Sequence, residues 1–78
     1  MTDPTRDRAN GARLRLLRGD KTQAQVAADL GISTMLLSYY ERGIRRPSDE
    51  TKIRLARYYG AKVSEIFSLM SNKTLRRR

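Results

Sequence analysis

The sequence predicts an all-α domain, and three observations carry that prediction. Residues that cap helix starts stand just ahead of apolar residues at helical spacing, at Thr22, Ser33 and Ser48. Glycines fall where those stretches should stop, at Gly31 and Gly60, with Gly19-Asp20 ending an earlier one. Between these signals the apolar residues recur three and four positions apart, as one buried helix face requires.

Taken in order, residues 1–9 read as an irregular arm, because Pro4, two Asp and two Arg offer nothing to bury. A first helix is expected over about Asn10 to Arg18, with Leu14 and Leu17 inward and Leu16 partly so. Thr22 followed by Gln25 is a capping box that opens a second helix carrying Val26, Ala27 and Leu30 on one face. Gly31 ends it in the left-handed conformation, Ile32 turns back to the core, and Ser33 caps a third helix with Leu37 and Tyr40 inward. Two short capped helices joined by so tight a turn make a helix-turn-helix. Pro47 closes the next loop, Ser48 caps, Asp49 and Glu50 complement the helix start, and Ile53, Ala56 and Tyr59, with Leu55 beside them, face inward up to Gly60. A last helix is expected from about Val63 to Met70, with Ile66 and Phe67 in the core. Lys62 is an unfavourable cap for it, and Ser64 offers an alternative start two residues on. The remaining SNKTLRRR reads as a basic tail.

Composition bounds the function. A chain of 78 residues is expected to make one domain with a small core, without room for a second, catalytic one. A formal charge of +9, from 17 Lys and Arg against 8 Asp and Glu, points to a polyanionic partner, and nucleic acid fits better than a membrane because no long apolar run exists. The absence of cysteine and histidine rules out disulfides and zinc-finger ligation, and leaves no plausible catalytic set. Without the apolar core of a signal peptide near its start, the chain is expected to be cytoplasmic. No metal, cofactor or small-molecule ligand is expected.

Gln23, Val26-Ala27, Leu30-Gly31-Ile32-Ser33, Leu37-Ser38 and Glu41-Arg42-Gly43, followed by Pro47, resemble the lambda repressor/Cro family of Xre-type regulators over roughly residues 12 to 67. The resemblance implies a five-helix lambda-repressor-like domain, spanning residues 10–70 between the arm and a tail at 71–78. It also implies double-stranded DNA as partner. By position in the motif, Ser33, Thr34, Met35, Ser38 and Tyr39 would read base edges from the third helix, and Gln23, Arg42, Arg45 and Arg46 would hold the DNA backbone. This set lacks the bidentate Arg, Asn or Gln readers, so methyl contacts, water and DNA shape would share the discrimination. Arg18 would pair with Glu41, although the turn between Arg18 and Gln23 is shorter than is usual in the family. A homodimer on a palindromic operator is the expected assembly, with Phe67, Leu69 and Met70 as its interface and repression as its effect. The alternative is an antitoxin-type protein that mainly binds a partner protein, which would call for a long apolar segment where only Leu69, Met70 and Leu75 are available.

Overall fold

The computed structural model describes residues 4–67. Five helices follow one another: α1 (Pro4–Arg18), α2 (Gln23–Leu30), α3 (Thr34–Arg42), α4 (Asp49–Tyr59) and α5 (Val63–Ile66), with no strand among the described residues. They enclose one core, in which Leu14, Val26, Leu37, Leu55 and Ile66 are the largest fully buried side chains.

Local chemistry sets the α2–α3 unit. Thr22 Oγ1 accepts from Gln25 N at 3.1 Å while Gln25 Oε1 accepts from Thr22 N at 2.9 Å, so two of the donors at the start of α2, those of Thr22 and Gln25, are satisfied. At its other end Gly31 adopts φ +74°. Ile32 N then donates to Ala27 O at 3.0 Å and Gly31 N to Ala28 O at 3.2 Å, the two bonds of a Schellman end. Ser33 Oγ accepts from Leu36 N at 3.0 Å and restarts the helix at once. The reversal lays Val26, Ala27 and Leu30 of α2 against Leu37 and Tyr40 of α3, all of them buried.

The first helix differs from its sequence reading at both ends. Residues 4–9 are not an irregular arm but the first turns of α1. Pro4 opens the helix, where its missing N–H leaves nothing unpaired, and Asp7 in the first turn suits the positive helix end. Asp7 does find burial there, at 8% exposed, and so does the neutral amide of Asn10 a turn further on, at 7%. Inward positions therefore run Asp7, Asn10, Gly11, Leu14 and Arg18, one stripe at helical spacing. Leu17 lies beside that stripe at 41% exposed and Leu16 opposite it at 80%, so neither takes the core place expected of it. Small size at one point allows α1 to cross α3 closely. A Cβ on Gly11 would stand 2.4 Å from Glu41 O and 2.6 Å from Tyr40 O.

In α4 the expected inward Ile53 is half-exposed, and Lys52 takes its place. The stem of Lys52 lies inward with its ammonium 5.6 Å from the Phe67 ring centre and 3.7 Å from Asp49 Oδ1, so an amphipathic side chain closes the core edge while keeping its charge paired. Helix α5 begins at Val63, not at Ser64: Glu65 Oε1 accepts from Lys62 N at 2.9 Å, and this carboxylate offsets the lack of a capping hydroxyl. Phe67 ends α5 and is 4% exposed within the core, which removes it from the expected dimer surface. The expectations for Leu69, Met70 and the tail lie outside the described residues.

Tyr59, half-buried at the end of α4, has a buried hydroxyl with no hydrogen-bond partner. Burial, and secondly the nearby Glu41 carboxylate, push its phenol up to about 12. The unfolded chain ionises this group near its ordinary value and the folded one does not, so folding stability is complete below about pH 10 and falls as pH rises from there toward 12. Tyr59→Phe should leave neutral-pH stability unchanged or slightly raised, since no bond is lost. It should also flatten the alkaline decline. Urea unfolding of both proteins at several pH values above 8 checks this, and parallel declines would refute the assignment.

Candidate nucleic-acid interface

The start of α2, the outer face of α3 and the end of α1 meet around an open groove of about 540 Å³ lined by Arg15, Arg18, Thr22, Gln23, Ser38, Glu41 and Arg42. It holds a partly buried ion pair. Arg18 Nε donates to Glu41 Oε2 at 2.7 Å and Arg18 Nη2 to Glu41 Oε1 at 3.0 Å, a bidentate fork on a carboxylate whose side chain is only 2% exposed. The hydrogen bonds to Glu41 raise the Arg18 guanidinium above its ordinary value, so its charge is fixed. Arg18 Nη1 also donates to Lys21 O at 2.8 Å, which pins the short α1–α2 turn.

The same carboxylate sets Gln23. Its Nε2 donates to Glu41 Oε1 at 2.9 Å, which fixes the side-chain amide at the first position of α2. An amide nitrogen carries two donors, so one N–H is held inward and one remains for a ligand. Helix starts also present unpaired backbone N–H groups, and together these suit an anion such as a phosphate oxygen. Arg15 and Arg42 are exposed on the rim. The motif does not single out Arg15. The available signal is its spacing, three residues before Arg18 and therefore beside it on α1.

Along α3, Ser33, Thr34 and Met35 are exposed, Met35 at 63%, while Ser38 and Tyr39 are half-buried. Ser33 Oγ is occupied as the cap of α3, and Ser38 opens into the groove beside Gln23. The Arg42 guanidinium lies 5.6 Å from the Tyr39 ring centre, a cation–π contact that restrains both side chains at the end of the helix. Arg45 is exposed in the loop that follows, whereas Arg46 turns its Nε to Asp7 Oδ1 at 3.5 Å. Tyr58, on the α2–α4 side, donates its hydroxyl to Asp29 Oδ2 at 2.7 Å and accepts from Lys21 Nζ at 3.1 Å, a surface network away from α3.

Among the described residues no helix is long and apolar enough to cross a membrane, and no acidic, histidine or cysteine group gathers as a metal site would. Comparison with curated proteins and with solved structures gives no match. Against protein-family models, residues 11–67 match the family described as the helix-turn-helix domain. With the capped α2, the left-handed turn at Gly31 and the α3 that follows it, this match shows that the chain belongs to the helix-turn-helix domain family, in keeping with its Xre/Cro-like motif.

Proposed function

We propose that the protein is a sequence-specific transcriptional repressor that binds a palindromic operator as a dimer, with α3 of each copy in a major groove. One observation carries the reading most: Gln23 is oriented by a buried carboxylate at a helix start, beside a basic rim and directly alongside the exposed face of α3. Gln23 then clamps a phosphate oxygen, with Arg15 and Arg42 neutralising the strand around it. Thr34 and Met35 meet base edges, Met35 suiting a thymine methyl, and Ser38 and Tyr39 contact the same groove further along the helix. Arg45 and Arg46 meet the backbone beyond it.

A single domain of this size offers a small binding surface, so useful affinity comes from two copies on half-sites about one helical turn apart. Selection of bound duplexes from a random pool should return an inverted repeat with that spacing. On the selected site, Thr34→Ala, Met35→Ala and Tyr39→Ala should each weaken binding by about 1–3 kcal/mol where the side chain meets a base edge, while affinity for random duplex barely moves. Equal weakening on both duplexes, with circular dichroism unchanged, would remove these residues from base reading.

A further inference from the structure

We propose that Asp7 is a positioning residue for DNA binding, which through its ion pair with Arg46 fixes the loop after α3 so that the outer edge of the Arg46 guanidinium is held ready for a backbone phosphate. The inference rests on the DNA-binding reading of that loop.

Helix α1 begins at Pro4, whereas the family match begins at residue 11, so about two turns of helix precede the shared domain. Those turns are built into the structure. Asp7 and Asn10 are buried, and Asn10 Oδ1 accepts from Arg13 Nη1 at 2.9 Å. The same Arg13 nitrogen donates to Ile66 O at 3.1 Å, which ties this face of α1 to the end of α5. The loop after α3 is seated against them. A Cβ on Gly43 would lie 2.8 Å from both N and Cα of Arg8, Pro47 is buried, and only about 10 Å³ of space remains between Asp7, Asn10, Tyr40, Arg46 and Pro47. A cavity of that size is at the limit for a single water, so the loop has little room to shift.

Within this closed seam the Arg46 side chain is still 39% exposed while the Asp7 side chain is 8% exposed. A guanidinium has five donors in one rigid plane. The ion pair engages Nε, 3.5 Å from Asp7 Oδ1, so the Nη hydrogens remain available to a ligand while the carboxylate's attraction restrains where the half-exposed guanidinium lies. The order of events is thus burial of Asp7 by folding, orientation of Arg46 by Asp7, and capture of phosphate by Arg46.

Charge alone predicts the opposite result, and that makes the test decisive. Removing a carboxylate from a protein that binds a polyanion should tighten binding. The experiment measures affinity against salt for the wild type, Asp7→Asn, Asp7→Glu, Arg46→Ala and the Asp7→Asn/Arg46→Ala double variant, on the selected operator and on random duplex. The expected result is weaker binding of every duplex by Asp7→Asn, with the slope of log affinity against log salt shallower by about 0.9, as when one phosphate is no longer neutralised. Arg46→Ala should show the same change, the double variant should weaken no further, and Asp7→Glu should restore much of the slope. Unchanged or tighter binding by Asp7→Asn overturns the proposal, as does a wild-type slope for Arg46→Ala, a measurement that does not depend on the Asp7 variants folding. A wild type that binds no duplex would instead defeat the DNA-binding reading itself.

Discussion

Gly11→Ala should lower the melting temperature by more than about 10 °C, an effect out of proportion to one methyl group. The added Cβ would stand 2.4 Å from Glu41 O, 2.6 Å from Tyr40 O and 2.7 Å from Glu41 C, all backbone atoms of α3. A flexible side chain can swing aside, but helix backbone cannot, so α1 and α3 must separate and loosen the core around Leu14 and Leu37. Overpacking of this kind costs about 3 kcal/mol or more, at the upper end of its usual range. That is a large part of the stability of a small domain. Gly19→Ala is the internal comparison. It has φ +58° but nothing within 4 Å of the new Cβ, so only the left-handed backbone opposes it, at about 1–2 kcal/mol. Thermal unfolding followed by circular dichroism ranks the two, and a Gly11 variant that melts no lower than the Gly19 variant would mean that the helices cross less tightly.

The contrast between these glycines shows what is legible in the sequence. Helix starts and stops are written within four residues, so Thr22 with Gln25, Ser33, Ser48 and the glycines after α2 and α4 can be read directly, and the structure has the same boundaries there. Gly11 cannot be read in that way. Its need for a missing side chain comes from carbonyls thirty residues further along the chain. The departures at Leu16, Leu17 and Ile53 share another cause. A hydrophobic pattern gives the inward stripe to apolar residues, whereas Asp7, Asn10 and the stem of Lys52 occupy it, each made tolerable by a partner: Arg46, Arg13 and Asp49. The first turns of α1 look like an irregular arm for the same reason, because the partner that faces the buried Asp7 lies in a distant loop. The proposed DNA-facing residues are legible as a set through the motif, but the bond from Gln23 to Glu41 is not, since side-chain partners across helices leave no local spacing.

Arg18→Ala should be the most damaging single truncation near the groove, costing about 3–5 kcal/mol, because it leaves a carboxylate buried with its charge uncompensated. Glu41 would keep only the Gln23 amide as partner in the place of three donors. Glu41→Ala should cost less. The Arg18 side chain is 17% exposed against 2% for Glu41, and it keeps its bond to Lys21 O, so the stranded guanidinium can still reach water. The pair itself contributes little net stability, since desolvation offsets most of the attraction; a double replacement by apolar residues, Arg18→Met with Glu41→Leu, should recover most of the stability. Binding should not recover with it. In the double variant Gln23 no longer has the oxygen that orients its amide, so the proposed phosphate clamp stays loose on every duplex even when the fold is restored. Urea unfolding of the three variants gives the stability ranking, and affinity for operator and random DNA gives the second axis. Full recovery of affinity in the stable double variant would show that Gln23 does not depend on Glu41, and the buried pair would then serve the fold alone.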